Sequence, residues 1–186
     1  MAEWPGASRV WWVAWALAVS AFACTKDQSA PVVRDPFIAM QADFADLLRW
    51  PRWEVPDIGS THGHQRGSPS YIYVHGEIPV WGEPMPIGTI LAKSVQVGEP
   101  TEWEIHAMVK RGGDFNVDGC AQWEWFDLRL NEDQVPEIIW RGEGNAANPG
   151  GYGRRPDGTP ISCNECHSQV PHTDFAFGRA LYGPSD

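Results

Sequence analysis

The chain has 186 residues and a formal net charge of −10, with 14 basic and 24 acidic side chains. A protein this acidic is not expected to bind nucleic acid, whereas a basic redox partner is compatible with its charge. Its 11 tryptophans, 19 glycines and 16 prolines predict a fold with many loops around an aromatic-rich core.

Residues 10–23 are almost all apolar and predict that the protein is exported. This segment is shorter than the roughly 20 residues of a transmembrane helix, so we interpret it as part of a signal peptide. Cys24 follows at once and resembles the lipidated cysteine of a bacterial lipoprotein. Ala21-Phe22-Ala23 also fits ordinary signal-peptidase cleavage, so a lipid-anchored and a soluble periplasmic protein both stay open.

The chain is therefore expected to have three parts. Residues 1–23 are the signal peptide, residues 24–34 are a polar tether with the candidate lipid anchor, and residues 35–186 are the folded domain. The domain is long enough to bury a full core of its own.

The domain is predicted to begin with a helix. Asp35-Pro36 is typical of a helix start, and Pro51 ends the segment. Between them, the apolar residues recur at helical spacing: Phe37, Met40, Phe44, Leu47 and Leu48.

Alternation of apolar and polar residues predicts four strands further along: Ser70–His75, Thr89–Val97, Trp103–Lys110 and Trp123–Leu130. Residues 76–88 and 141–160 are expected to be irregular, since both are rich in glycine and proline. Short helices are predicted at Cys163–Gln169 and Thr173–Leu181. The expected fold class is α+β, mainly β: an antiparallel sheet of about five strands with a few helices.

Cys163-Asn164-Glu165-Cys166-His167 is a C-x-x-C-H motif and predicts one c-type haem, around which the sheet and helices are expected to pack. In this motif, two thiols form thioether bonds to one porphyrin, and the adjacent histidine binds the iron. Half of a zinc site and a thioredoxin-like redox pair are the alternatives. The first lacks a second pair of ligands, and the second lacks the surrounding βαβ pattern. Export favours the c-type haem.

Two other residues stand out. Cys120 has no predicted partner once Cys163 and Cys166 are assigned to haem, so we expect a small, partly buried thiol and no internal disulfide. Lys93 shares a strand face with Leu91 and Val95, where an ammonium group is costly unless it is paired or reaches water. Either its side chain extends to solvent, or this face meets something that uses an amine.

Several segments in this order resemble the cytochrome P460 family over residues 35–182. They are Gly88-Thr89-Ile90-Leu91-Ala92-Lys93, Met108-Val109-Lys110-Arg111, Trp123-Glu124-Trp125-Phe126, the C-x-x-C-H motif, and Thr173-Asp174-Phe175-Ala176-Phe177. The resemblance implies a predominantly antiparallel β protein, often a homodimer, with one c-type haem and one open axial position.

In the name-giving members a lysine is also bonded to the porphyrin, and the matching residue here is Lys93. Those enzymes oxidise hydroxylamine and pass electrons to another cytochrome. The related cytochromes c′-beta lack the cross-link and bind gases such as nitric oxide. Active members also place a carboxylate where it takes protons from substrate, and Asp157 is our candidate, with a plain Asp-Gly turn as the alternative.

Further residues are candidates for contacts with the haem. Arg154 and Arg155 are expected to pair with its propionates or to be solvated loop charges, and His172 also lies close enough in sequence. Candidates for a sixth iron ligand are the remaining histidines and two methionines: His62, His64, His75, His106, His172, Met85 and Met108. Because His106 and Met108 alternate with apolar residues of their strand, we expect both at the surface or in an interface.

Overall fold

The described part of the chain is organised by one antiparallel sheet. The computed structural model describes residues 35–55, 68–145 and 157–177, all within one compact unit, Val33–Asp186. The strands follow one another in chain order across the sheet, from β1 to β6. They are β1 (Arg52–Glu54), β2 (Ser70–His75), β3 (Ile90–Val95), β4 (Glu104–Lys110), β5 (Trp123–Leu130) and β6 (Pro136–Gly142).

The predicted α+β, mainly β class is confirmed, but the sheet has six strands instead of about five. The strands β2 and β5 have the predicted bounds, whereas β3 and β4 are slightly shorter than predicted. The edge strands β1 and β6 were not predicted. As expected, residues 76–88 form neither helix nor strand.

The predicted N-terminal helix is wrong in its form. Residues 35–40 have no helical structure, and two short 3-10 helices follow at Gln41–Phe44 and Leu47–Arg49. The backbone N–H of Phe37 donates to the carbonyl of Arg111 at 2.8 Å. This bond to the end of β4 keeps the start of the segment extended, which overrides the local helical pattern.

One face of the sheet is a closed hydrophobic core. Tyr73, Ile90, Ala107 and Phe126 point into it from β2, β3, β4 and β5. Phe44 and Leu47 of the two 3-10 helices cover this face together with Ala39, which precedes them, and all three are fully buried. Of the apolar residues that predicted an N-terminal helix, Phe37, Phe44, Leu47 and Leu48 therefore do face a core, whereas Met40 is exposed.

The opposite face carries the C-x-x-C-H segment. Leu91, Met108 and Trp125 lie side by side on β3, β4 and β5, in register with one another. They belong to a second buried cluster, which Cys163 and Phe175 contact from the C-terminal segment. This face of the sheet therefore positions the candidate site.

The C-terminal segment contains one short α-helix, α1 (Cys163–His167), and a 3-10 helix, Pro171–Thr173. The helix α1 confirms the start of the predicted helix, although it ends two residues early. The helix predicted over Thr173–Leu181 is wrong for residues 174–177, because Asp174 and Phe175 have left-handed backbone conformations. Residues 178–181 lie outside the described residues.

Candidate haem-binding site

The helix α1 carries both cysteines and the histidine of the motif within little more than one turn. Ser162 caps the helix, since its hydroxyl accepts the backbone N–H of Glu165 at 3.2 Å. Cys163 and Cys166 are three positions apart and therefore lie on neighbouring positions of one helical face. Neither cysteine forms a disulfide. The fold thus presents the two thiols together, as attachment to one porphyrin requires.

Asn164, a variable position of the C-x-x-C-H pattern, fastens α1 to the sheet. Its Oδ1 accepts hydrogen bonds from Asn116 Nδ2 (2.8 Å), Trp125 Nε1 (3.1 Å) and the backbone N–H of Cys120 (3.2 Å). Its Nδ2 donates to Asn116 Oδ1 at 2.7 Å, and its backbone N–H donates to the carbonyl of Gly144 at 2.9 Å. Such a satisfied, partly buried network fixes the helix in one orientation.

Two glycines allow this close approach of helix and sheet. A Cβ on Gly144 would lie 2.7 Å from the Cβ of Cys163 and 2.6 Å from Trp125 Cδ1. The φ of Gly144 is +63°, a conformation that side chains disfavour. A Cβ on Gly119 would lie 2.0 Å from the amide nitrogen of Asn164. Any larger side chain at either position would push α1 away from the sheet.

His167 is held with one particular nitrogen protonated. Its Nδ1 donates to the backbone carbonyl of Phe175 at 2.7 Å, which leaves the lone pair on Nε2. The ring packs against Trp125, with centroids 4.5 Å apart, and meets the edge of Phe177 at 5.0 Å. A histidine that binds metal through one nitrogen almost always donates from the other in this way.

The electrostatic surroundings keep His167 neutral. Burial is the largest cause that lowers its pKa to about 4, and the charges of Lys93 and His106 lower it further. The hydrogen bond to Phe175 opposes this shift. At neutral pH the imidazole is therefore uncharged, which is the form that coordinates a metal.

The two thiols of the motif stay protonated at neutral pH. Burial raises the pKa of Cys163 to about 12, and the charge of Asp127 adds to this shift. Burial also raises the pKa of Cys166, but the positive charge of Lys93 works against it. The influence of Lys93 on both Cys166 and His167 places its ammonium group on the side of the sheet that faces α1.

A row of polar side chains crosses this face of the sheet. Lys93 on β3 is in register with His106 on β4, and His106 is in register with Asp127 on β5. His106 Nδ1 and Asp127 Oδ1 are 2.7 Å apart, and their side chains are 23% and 13% exposed. A histidine bound in this way to a carboxylate is suited to accept a proton from a neighbouring molecule.

The rest of the surroundings is apolar and aromatic. Ile72 on β2 lies beside Lys93, and Trp140 on β6 lies beside Asp127, at the two ends of the polar row. Both side chains are partly buried against the same cluster as Cys163. Taken together, the two thiols, the prepared Nε2 and the aromatic lining fit a covalently attached haem.

The predicted site residues are not all gathered here. Lys93, Cys163, Cys166 and His167 lie together, and Lys93 is half-buried. Asp157 is exposed in a turn, where its Oδ1 accepts hydrogen bonds from the N–H and the hydroxyl of Thr159. Arg154 and Arg155 lie outside the described residues.

The other candidate iron ligands are scattered. Met85 and Met108 are buried in the cluster beneath the site, and His106 lies in the polar row. The prediction that Met108 lies at the surface or in an interface is wrong, because Met108 is 5% exposed and belongs to the buried cluster of this chain. His75 is exposed beside Trp50, and His172 is exposed beside Trp81. His62 and His64 lie outside the described residues.

Cys120 is a free thiol, and it is fully buried instead of partly buried as predicted. Its Sγ donates to the carbonyl of Asn164 at 3.7 Å, so it packs directly beneath α1.

Some features that build the site had no clear sequence signal. The Asn116–Asn164 pair joins residues 48 positions apart; Asn116 lies in no recognisable motif, and Asn164 occupies a variable position of the C-x-x-C-H motif. The short His106–Asp127 contact becomes visible only once the register of β4 and β5 is known.

Within residues 35–55, 68–145 and 157–177, no helix is long and apolar enough to cross a membrane. The same residues contain no group of three or more histidine, cysteine or acidic side chains that could hold a metal ion. No protein-family model, curated protein or solved structure matches the chain. The resemblance to cytochrome P460 therefore remains a prediction from the residues quoted above.

Proposed function

We propose that this chain is an exported c-type cytochrome with a single haem, bonded to Cys163 and Cys166 and bound through its iron to His167. The observation that supports this proposal most directly is the tautomer of His167. Its Nδ1 donates a hydrogen bond to the backbone carbonyl of Phe175, so Nε2 keeps its lone pair. A zinc or redox role for the two thiols gives no reason for a half-buried, neutral imidazole held in this tautomer.

Within this class, we propose a protein of the cytochrome P460 type. The support is the position of Lys93, half-buried on the face that α1 covers and close enough to affect Cys166 and His167. Lys93 would be the residue that carries the additional bond to the porphyrin that distinguishes this type. Such a bond would alter the electronic properties of the macrocycle.

The proposed reaction is the oxidation of hydroxylamine or a similar small nitrogen compound. Haem supplies the iron site where such a molecule binds and to which it gives up electrons. The chain supplies the rest: aromatic side chains that limit the entry of water, and His106, backed by Asp127, as a proton acceptor. Asp157 was the candidate from the sequence, but its turn uses the carboxylate locally. Another cytochrome would take the electrons.

The proposed setting is the periplasm. The apolar segment and Cys24 support export and either a lipid anchor or a soluble mature protein. Cys24→Ala should release or misprocess an anchored protein, whereas an unmodified N-terminus by mass spectrometry would show the soluble form. A homodimer is also proposed, from the family resemblance alone.

The decisive experiment for the class is a haem-stained denaturing gel of protein produced with the c-type maturation system. The colour should stay with the polypeptide, and it should be lost in the Cys163→Ser/Cys166→Ser double variant. Release of all colour by acid-acetone extraction of the wild type would refute covalent attachment.

The decisive experiment for the P460 type is the visible spectrum of the reduced protein, compared among the wild type, Lys93→Ala and Lys93→Arg. A cross-linked haem has a red-shifted Soret band, and both variants should lose that shift and the hydroxylamine oxidation while keeping the thioether-bound haem. Lys93→Arg keeps the positive charge. If both variants lose the red shift and the hydroxylamine oxidation, the cause is therefore the missing lysine–porphyrin bond and not the missing charge.

The alternative is a haem protein that binds nitric oxide or carries electrons, like the cytochromes c′-beta. The apolar neighbours of Lys93, such as Ile72, suit a small gas as well as a substrate. An ordinary c-type spectrum in the wild type, with no lysine fragment on the haem peptide, would make this alternative the preferred function.

A further inference from the structure

The carbonyl that bonds His167 belongs to an unusual stretch of backbone. Asp174 and Phe175 follow the Pro171–Thr173 helix with φ values of +51° and +66°. Two successive left-handed residues, neither of them glycine, are unfavourable and persist only where the surroundings hold them. The question is therefore what keeps Phe175 in this conformation.

Hydrogen bonds within the loop give part of the answer. The hydroxyl of Thr173 is shared between the carbonyls of Val170 (3.0 Å) and Ala176 (2.8 Å), and the N–H of Phe175 donates to Val170 at 3.1 Å. These bonds close the loop on itself, but they do not attach it to the sheet. Phe175 and Ala176 pack on the buried cluster of the sheet, and the polar attachment comes from Asp174.

The carboxylate of Asp174 joins three segments of the chain. Its Oδ1 lies 2.7 Å from Nζ of Lys110, the last residue of β4. Its Oδ2 accepts the backbone N–H of Met85 at 2.8 Å. The side chains of Lys110 and Asp174 are only 3% and 11% exposed, so water cannot readily replace either partner.

Lys110 is itself fixed in place. Its Nζ reaches the carbonyl of Ala121 at 3.4 Å and lies 5.0 Å from the centre of the Trp123 ring. Burial is the largest cause that lowers its pKa, and the hydrogen bond to Asp174 counteracts it. The carboxylate therefore helps to keep a buried ammonium group charged.

We infer that the Lys110–Asp174 ion pair is the device that positions His167, because it fixes Asp174 and hence the neighbouring Phe175 carbonyl. Lys110 and Asp174 are positioning residues, since neither touches the imidazole. The inference rests on the proposed role of His167 as the iron ligand. A firm Nδ1–H···O=C bond makes Nε2 a stronger donor and favours the oxidised iron, so loosening it should make the haem easier to reduce.

The test uses the haem-loaded protein and the variant Lys110→Met, which removes the charge but keeps much of the apolar stem. The reduction equilibrium is measured against a redox dye at fixed pH. We expect the equilibrium constant for reduction to rise about tenfold, taking as a guide the lower end of the roughly 10- to 100-fold changes in metal affinity or activity that follow the loss of a partner of a ligating histidine. Lys110→Arg, which keeps the charge and can bond a carboxylate, should stay close to the wild type.

The matched control is Arg111→Met at the next residue. Arg111 also pairs with a buried carboxylate, Glu124 Oε2 at 3.1 Å, but on the opposite face of the sheet. Because Arg141 still pairs with Glu124, Arg111→Met should lose less stability than Lys110→Met, and it should leave the reduction equilibrium unchanged. An equal shift in Lys110→Met and Arg111→Met, or no shift in Lys110→Met, would overturn the inference.

If Lys110→Met takes up no haem, Asp174→Asn gives the same comparison. An asparagine there has one acceptor oxygen in place of two, so it cannot bond both Lys110 and Met85. The equilibrium should move in the same direction, and an unchanged value would refute the positioning role. A wild type without covalent haem would refute the proposed function, and this inference with it, whereas intact haem with an unmoved equilibrium would refute the inference alone.

Discussion

The two faces of the sheet are both buried, yet their compositions differ. On the core face, Phe44 and Leu47 cover neighbours that are almost entirely apolar. On the site face, the apolar pattern is interrupted by Lys93, His106 and Asp127. Alternation along a strand assigns residues to one face or the other, but it does not say which face is the site.

The difference lies in how ionisable groups are placed on the two faces. A core gains nothing from buried ionisable groups, and each such group has to be compensated by a partner. On the core face, the buried carboxylate of Glu124 forms ion pairs with both Arg111 and Arg141. On the site face, ionisable groups instead gather around the cysteines and His167, as expected for a site that performs chemistry.

The largest effect is expected from His106→Gln, which would remove the proposed proton acceptor from the site face. The glutamine keeps a polar group beside Asp127 but is a far weaker proton acceptor, so hydroxylamine oxidation should fall about a hundredfold or more. The visible spectrum of the haem should stay the same. Steady-state assays with an electron-accepting dye would measure the change.

The control for that prediction is His75→Gln on β2, which changes an exposed histidine on the same sheet. It should retain full activity. Wild-type rates in His106→Gln would show that this histidine accepts no proton in the reaction.

Phe44→Ala tests the core face by itself. Phe44 is fully buried and packs against Phe126 with ring centroids 5.2 Å apart. Its truncation should lower the free energy of unfolding by about 3–5 kcal/mol. The folded variant should nevertheless keep the wild-type haem spectrum, and denaturant titration followed by tryptophan fluorescence would give the stability.

Phe177→Ala is the matching variant on the site face. Phe177 is 38% exposed and meets the ring of His167, so its removal should cost little stability while changing the spectrum. The comparison between the faces fails if Phe44→Ala shifts the Soret band more than Phe177→Ala does.

A somewhat smaller loss is expected from Gly144→Ala, which tests how closely the site face is packed. The new Cβ would clash with Cys163 and Trp125 in a backbone conformation that disfavours side chains. Together these effects should cost about 2–4 kcal/mol and reduce haem attachment, as measured by absorbance per mole of protein.

Gly158→Ala is the control, because its φ is +83° but no atom lies within 4 Å of the added Cβ. It should cost about 1 kcal/mol and leave haem attachment unchanged. Equal haem loss in both variants would mean that backbone strain, not the contact with Cys163, is responsible.

Much of the sheet could be predicted from the sequence, because β2 to β5 carry a clear alternation and are bounded by turn residues. The edge strands could not. The strand β1 has only three residues, and β6 begins at Pro136, which sequence rules treat as a breaker although an edge strand tolerates it at its first position. The N-terminal segment was predicted as a helix because its tertiary bond to Arg111 has no local signal.

The candidate site was predictable only in part. The C-x-x-C-H motif and the anomalous Lys93 are local features, so the sequence alone singles them out. His106 was assigned to a surface because alternation was taken to separate inside from outside, whereas β4 is buried on both faces. The Lys110–Asp174 pair spans 64 positions, and such contacts emerge only when the chain is folded.

The smallest expected effect concerns Cys120, and it tests whether the site face excludes water as well as the core does. Burial is the main cause that raises the pKa of this thiol from 9.0 to about 12. Between pH 9 and about pH 12, Cys120 therefore stays protonated in the folded protein but is deprotonated in the unfolded chain. The stabilising contribution is complete below pH 9 and falls as the pH rises towards 12.

At about pH 10.5 the loss attributable to Cys120 should be about 2 kcal/mol, since each pH unit above 9 costs about 1.4 kcal/mol. Unfolding titrations of the haem-loaded protein between about pH 8 and 10.5 would measure it, with Cys120→Ala as the reference for all other titrating groups. The alkaline slope should be smaller in Cys120→Ala than in the wild type. Identical slopes would mean that water reaches the thiol beneath α1, and that the site face is more open than the core face behind it.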